Sequence, residues 1–304
     1  PSRGLGDVYK RQIVMSVKEC LKRAVIYIVK GVPVKKVTTS IVQIAPNELL
    51  KGRVALLTGG TSGIGFAIAN AFLKSGASVV ITGRNESRIQ DSCNKLLQNK
   101  DFQNRIFGVV MDNTDVAGFE TCFQKILSLL DGRNVDILIN NAGIRGGHIA
   151  TVTGADYDMI LDTNLKAVFF LSRLVGKYMK ENKITGNILN IISSSGLRPA
   201  TSAYTLSKWG VRGLTLGLAK SLIPYDIVVN GLAPGPTATP MLMKDGSEEI
   251  GHTSNPLGRY AMPEEIANMA VVLTSGMGRT VVGDIVYMTG GAGIITFDDM
   301  DYKF

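Results

Sequence analysis

Cysteine is scarce and unpaired in this sequence: Cys20, Cys93 and Cys122 are far apart, and none belongs to a CxxC pair. That argues against a disulfide framework and a zinc site, so no metal is expected, and it fits a reducing, cytoplasmic setting. Long apolar runs are missing too. The most apolar stretch of the N-terminal region, Ala24 to Val29, is far shorter than a membrane span and precedes no small-residue cleavage pattern, which speaks against a transmembrane segment and a secretory signal. No basic run interleaved with aromatics occurs in the main body, so no nucleic-acid partner is expected. Internal repeats, low-complexity segments and a linker that would split residues 53–293 are also absent.

What is present is a large apolar fraction, 45% of 304 residues, enough to bury the core of one large α/β domain or at most two domains. The formal net charge of +8 is confined to one end: residues 1–53 hold 11 Lys/Arg against 3 Asp/Glu, and 22 face 22 beyond them. Asp7 to Gln12 resembles an in-frame translation of a sequencing-library adapter, so residues 1–12 are expected to be an assembly artefact, with true coding sequence starting near Met15. Residues 13–50 form a basic extension. In it, Val17, Cys20, Leu21, Ala24, Val25 and Ile28 fall at helical spacing opposite Lys18, Lys22 and Arg23, and β-branched residues follow from Val34 to Ile44. Packing or assembly is the expected role of this amphipathic helix, with contact to a membrane surface as the alternative.

Beyond Arg53 strands and helices alternate. Strands are expected at Val54–Thr58, Ser78–Thr82, Arg105–Met111, Val135–Asn140, Gly186–Ser193, Ile227–Asn230 and Asp284–Met288. Helices are expected at Ile64–Lys74, Glu86–Gln98, Val116–Leu129, Ala155–Lys180, Tyr204–Leu222 and Pro263–Leu273. Short apolar strands separated by amphipathic helices predict a doubly wound, Rossmann-type α/β fold: a parallel sheet with helices on both faces, in a single domain over residues 51–304.

Thr58 to Gly65 reads Thr-Gly-Gly-Thr-Ser-Gly-Ile-Gly directly after the first strand. Gly59, Gly63 and Gly65 sit where a strand must turn sharply into a helix, and the missing Cβ atoms let backbone approach a pyrophosphate. The spacing is G-x-x-x-G-x-G, so the more general G-x-G-x-x-G fingerprint does not apply. A glycine turn without a ligand is the bland alternative for this stretch alone.

Further motifs lie at strand ends or on a flanking helix: Asn140-Asn141-Ala142-Gly143, Ser193, Tyr204-Thr-Leu-Ser-Lys208 and Pro234-Gly235. Together with the glycine loop, and in this order, they resemble the short-chain dehydrogenase/reductase family over residues 53 to about 293. Tyr204 and Lys208 are four apart, hence on one helix face, where an ammonium favours a phenolate and makes proton exchange with a substrate oxygen feasible near neutral pH. The resemblance implies that Tyr204 is the general acid/base, that Lys208 also holds the nicotinamide ribose, and that Ser193, chosen from the run Ser193-Ser194-Ser195, orients the carbonyl. It also implies that Asn164 is the fourth catalytic position, holding a helix irregularity and a water linked to the lysine.

Cofactor contacts implied by the resemblance comprise Gly59, Thr61, Ser62, Gly63, Ile64, Gly65, Asn141, Ala142, Gly143, Tyr204, Lys208, Pro234, Gly235 and Thr237, with Asp112 at the adenine. At the end of the second strand, Gly83 stands where NAD-preferring relatives carry a carboxylate, and Arg84 follows. Arg84 is suited to a 2′-phosphate, so NADP(H) is expected over NAD(H). Residues 238–260, with Met241, Leu242, Met243 and His252, are expected to form a substrate lid, and His148 is given no catalytic role. Thr289 replaces an acidic residue frequent before the paired glycines, a change read as packing or oligomer contact.

The implied activity is interconversion of a small-molecule ketone and a secondary alcohol in a homodimer or homotetramer. A 3-oxoacyl carrier-protein reductase is the second enzymatic reading, and a non-catalytic NADP(H)-binding or membrane-surface scaffold is the reading from another class.

Overall fold

Val, Ile and Leu dominate the strands, and strands made of continuous apolar runs are stable only where both faces are covered. In the computed structural model, which describes residues 48–243, 250–252 and 255–296, this is how they are used. The chain divides into Pro1–Gln43 and Ile44–Phe304. The first unit, its amphipathic helix and extended segment, and the acidic tail beyond residue 296 lie outside the described residues.

The strands are β1 Val54–Thr58, β2 Ser78–Gly83, β3 Ile106–Val110, β4 Ile137–Asn140, β5 Gly186–Ile191, β6 Ile227–Pro234 and β7 Ile285–Met288. They form one sheet in the order β3-β2-β1-β4-β5-β6-β7, every pair parallel. Winding reverses between β1 and β4, so the crevice at their C-terminal ends is where a doubly wound fold takes its ligand. The helices are α1 Gly63–Lys74, α2 Glu86–Leu97, α3 Phe119–Ser128, α4 Gly154–Leu161, α5 Ala167–Glu181, α6 Ala203–Leu222 and α7 Pro263–Thr274.

Alternation along each strand splits the core in two. Leu57, Ile81 and Ile139 pack with Ile68 and Phe72 of α1 and Ile266 of α7, while Leu56, Val80 and Leu138 pack with Phe123 and Ile126 of α3 and Leu171 and Val175 of α5. Phe72 and Phe123 are the largest wholly buried side chains, and truncating either to alanine would cost about 3–5 kcal/mol.

Four elements depart from the sequence reading. The helix expected over Ala155–Lys180 is two helices, α4 and α5, joined by a π-helical turn at Asp162–Lys166. The helix expected from Val116 starts as a 3-10 turn, Val116–Gly118, because Asp115 accepts from the Gly118 N–H at 3.1 Å, and α3 proper begins at Phe119. β5 stops at Ile191, since Ser193 caps the following 3-10 turn, Ser194–Leu197, by accepting from the Ser195 N–H at 3.1 Å. β6 runs on past Asn230 to Pro234: Gly231 is a close-approach site, where a Cβ would stand 2.5 Å from Ile192 Cδ1 and 2.6 Å from Ile285 Cδ1.

At the N-terminal ends of the strands, Arg53 ties the sheet together. Its guanidinium pairs with Asp136 ahead of β4 and donates to Asn187 Oδ1 of β5 at 3.0 Å and to the Thr274 carbonyl of α7 at 3.3 Å. Asp136 also accepts from the Val54 N–H at 2.8 Å.

Candidate active site

The glycine loop turns over the C-terminal ends of β1 and β4. Gly59 has φ 67°, and a Cβ there would lie 2.8 Å from Ala142 Cα; at Gly65 a Cβ would lie 2.2 Å from the Gly59 carbonyl oxygen. Both positions therefore exclude a side chain. Thr58 and Asn141 lace the two loops into one piece. Thr58 Oγ1 accepts from the N–H groups of Asn141 and Ala142, each at 3.0 Å, and the Asn141 amide donates to the carbonyls of Thr58 at 2.9 Å and Gly59 at 3.0 Å.

α1 starts here without a side-chain cap from Ser62 and without an acidic residue in its first turn. Its first N–H groups and the positive end of its dipole are thus left for an anion, which fits the pyrophosphate of a dinucleotide.

α6 supplies the next pair. Ser202 starts the helix by accepting from the Thr205 N–H at 3.1 Å, which sets Tyr204 and Lys208 one turn apart on its first two turns. Lys208 is buried and its Nζ donates to the Ile191 carbonyl at the end of β5 at 3.0 Å, 5.7 Å from the centre of the Tyr204 ring. Behind it runs a buried polar chain: Asn140 donates to Asn190 Oδ1 at 2.8 Å, and Asn190 donates to Thr215 Oγ1 of α6 at 2.9 Å. This chain fixes α6 against β4 and β5.

Asn164 lies within the π-helical turn, in agreement with the expected helix irregularity. It is 1% exposed and does not line the cleft. Instead its side chain grips the loop after β4, accepting from the Ile144 N–H and donating to the Ile144 carbonyl, both at 2.9 Å, and reaching Ser207 Oγ at 3.1 Å. A Cβ on Gly143 would stand 3.4 Å from Asn164 Oδ1 and 3.7 Å from Lys208 Nζ, so both polar groups sit under that loop.

Electrostatics differ from the expectation that Lys208 lowers Tyr204. Burial pushes the Tyr204 phenol above its usual range, while the Ser193 hydroxyl and the Arg145 guanidinium pull it down. Burial also takes Lys208 itself down to about 8, because the interior disfavours an ammonium.

All the other expected positions meet around one cleft of about 630 Å³, from Gly59 to Gly65 through Arg84, Asp112 and the loop after β4 to Ser193, Tyr204, Lys208 and Thr237. Asp112 serves its own turn as well, accepting from the Thr114 N–H at 2.9 Å. Of the expected lid, Met241, Leu242, His252 and Tyr260 line the cleft, and the rings of His252 and Tyr260 meet edge-on at 4.6 Å; residues 244–249 and 253–254 lie outside the described residues. Thr289 is buried and accepts from Asn255 Nδ2 at 3.1 Å through its carbonyl, which makes it a packing residue. Sequence reasoning missed Arg88, Arg145 and Arg198, all of which line the cleft. Their shared signal was position just beyond the C-terminal end of a strand, where this fold puts its ligands.

Among the described residues no cluster of three or more metal-ligating side chains forms, and no helix is long and apolar enough to cross a membrane.

Comparison with known proteins follows the same outline. A family model described as short chain dehydrogenase matches residues 53–250. The 3-oxoacyl-[acyl-carrier-protein] reductase of Aquifex aeolicus is 33% identical over 247 residues, which cover 80% of this chain and 98% of that protein. The 3-ketoacyl-(acyl-carrier-protein) reductase of Brucella melitensis, solved with NADH, superposes with a TM-score of 0.72 at 30% identity, covering 81% of this chain and 100% of that one. A short chain dehydrogenase of Burkholderia cenocepacia, solved with NADP, gives a TM-score of 0.71 at 29% identity, covering 80% of this chain and 98% of that one.

Proposed function

The chain belongs to the short-chain dehydrogenase/reductase family and is an NAD(P)-dependent oxidoreductase acting on CH–OH/C=O groups; from that premise we propose that it interconverts a ketone and a secondary alcohol with NADP(H), Tyr204 acting as general acid/base. The observation that carries this reading is the meeting of Ser193, Tyr204 and Lys208 in the same cleft as an uncapped helix N-terminus. The cofactor, when bound, supplies or accepts the hydride. In the reductive direction Ser193 donates a hydrogen bond to the carbonyl oxygen and Tyr204 gives it a proton. Lys208 adds positive charge beneath Tyr204 and holds the ribose, while Asn164 keeps the Gly143–Ile144 loop in place above both.

NADP(H) is favoured over NAD(H) by Arg84 and Arg88, which line the β2 end of the cleft where Gly83 stands in place of a carboxylate. The solved relatives hold either nucleotide, so the support comes from these side chains. Exposed Phe169 on α5 and Leu206, Trp209 and Leu216 on α6 support a homodimer or homotetramer, and the proposed setting is the cytoplasm. Residues 238–260 are proposed as a lid over the substrate.

The test is NADPH oxidation against a panel of ketones. Tyr204→Phe is expected to lose roughly 10²–10⁴-fold in kcat with cofactor affinity retained, and unchanged turnover in that variant would remove Tyr204 from the mechanism. In the same assay Arg84→Gln/Arg88→Gln should raise KM for NADPH while leaving KM for NADH close to wild type. Turnover of a carrier-bound 3-oxoacyl chain would select the second reading, favoured by the acyl-carrier-protein reductases among the relatives. Cofactor binding without oxidation of any substrate would mark a non-catalytic protein.

A further inference from the structure

We propose that the substrate is a ketone bearing an oxoanion, a carboxylate or a phosphate, which Arg145 and Arg198 bind at the Tyr204 end of the cleft. This inference rests on the ketone reduction proposed above and names the class of molecule that reaction takes.

The cleft is far more cationic than the domain that builds it. Residues 54–304 are balanced at 22 Lys/Arg against 22 Asp/Glu, yet the cleft is lined by Arg84, Arg88, Arg145, Arg198 and Lys208, with Asp112 as its one carboxylate among the described residues. The cofactor accounts for part of this excess. Arg84 and Arg88 stand at the β2 end for a ribose phosphate, the start of α1 takes the pyrophosphate, and Lys208 is committed to the Ile191 carbonyl. Arg145 and Arg198 are left over. Neither has an ion-pair partner among the described residues.

Their positions are built. Arg145 follows β4 and Arg198 follows β5, adjacent strands of the sheet, so both rise from the same edge of the crevice. The two loops are stitched by a backbone bridge between His148 and Ser202 and by N–H bonds from Ile149 to the Thr201 carbonyl at 3.0 Å and from Ala203 to the Gly147 carbonyl at 2.9 Å. Arg145 is exposed, yet its guanidinium carbon lies 5.9 Å from the centre of the Tyr204 ring. The Arg198 carbonyl is pinned by the Trp209 indole N–H at 2.8 Å, and its guanidinium abuts Gly293, where a Cβ would fall 3.3 Å from Arg198 Nε. Two guanidinium groups on braced loops lining one cleft, Arg145 beside the reacting phenol, with no ion-pair partner among the described residues, match a carboxylate or phosphate.

The experiment compares three aryl ketones that differ away from the carbonyl: 4-acetylbenzoate, 4-acetylphenyl phosphate and methyl 4-acetylbenzoate. With NADPH at low ionic strength, kcat/KM for at least one anionic ketone should exceed that for the ester about tenfold or more, and the better anion identifies the oxoanion. The anion-to-ester ratio should fall toward one in Arg145→Gln/Arg198→Gln and in high salt, and should largely return in Arg145→Lys/Arg198→Lys, where charge is kept. A ratio near one in the wild type, or a ratio that survives the double Gln substitution, overturns the inference while the reduction of the ester leaves the reductase reading standing. If none of the three is turned over, the reductase reading fails instead. Calorimetric titration of the NADP⁺-loaded protein with 4-acetylbenzoate and the ester then decides the anion preference alone, and equal affinities overturn it.

Discussion

Tyr204 is held by opposed influences, and the balance makes its pH behaviour readable. Burial raises the phenol, and the Ser193 hydroxyl and Arg145 cation work against that. Proton donation during reduction needs the neutral phenol, so the reductive rate should hold flat through neutral pH. Alcohol oxidation needs the phenolate, so kcat/KM in that direction should climb as pH rises above neutrality. Removing Arg145 leaves burial less opposed, and in Arg145→Gln the rising limb should move to higher pH, measured with a neutral secondary alcohol to keep substrate charge out of the comparison. A limb that stays in place would mean that Arg145 does not act on Tyr204. Tyr204 and Lys208 were legible from their spacing, four residues or one helical turn, read together with the other strand-end motifs. Arg145 and Arg198 were not: loop arginines carry no periodicity, and only the fold reveals that the loops after β4 and β5 stand side by side.

At the scale of the element, the π-helical turn Asp162–Lys166 is where sequence pattern and structure part most clearly. Its one extra residue barely disturbs the apolar spacing, which is why Ala155 to Lys180 reads as a single helix. The informative residue was Asn164, unfavourable inside a helix and here saturated with hydrogen bonds. Asn164→Ala would orphan the Ile144 N–H and carbonyl together, at a cost of about 1–3 kcal/mol per buried group left unpaired. A lower denaturant midpoint is expected together with a drop in kcat larger than the rise in KM for NADPH. Equal kcat in a destabilised variant would reduce Asn164 to a structural brace. The strand boundaries erred for a related reason. Gly231 and Pro234 look like breakers in isolation, but β6 is a covered strand whose neighbours need the space that a glycine leaves.

Across the whole molecule, chemistry and cohesion are assigned to opposite ends of one sheet. The cleft caps the C-terminal strand ends, and the Arg53–Asp136–Asn187 cluster closes the N-terminal ends, separated by the five residues of β1, about 13 Å. The cluster shows why a short ion pair need not be a net gain. Burial raises the Asp136 carboxyl despite the attraction of Arg53, so the pair does not fully offset the loss of water around the carboxylate. Because its folded value lies above its unfolded one, the contribution of this group to stability is fully present below the unfolded value and is lost as pH rises through the folded one. Removing one partner is a different matter. Asp136→Ala leaves the Arg53 guanidinium without its counter-ion and the Val54 N–H without its acceptor in a part-buried setting, a loss of about 1–3 kcal/mol. The companion Arg53→Met/Asp136→Leu should recover most of that loss, since no charge is then stranded, and both variants should keep wild-type kcat and NADPH affinity below their melting temperatures. The measurement is a double-mutant cycle of Arg53→Met, Asp136→Leu and their combination by urea denaturation, alongside NADPH kinetics. Additive losses in the cycle would show that the pair is not coupled, and a fall in kcat matching the loss of stability would show that the two ends of the sheet are not independent.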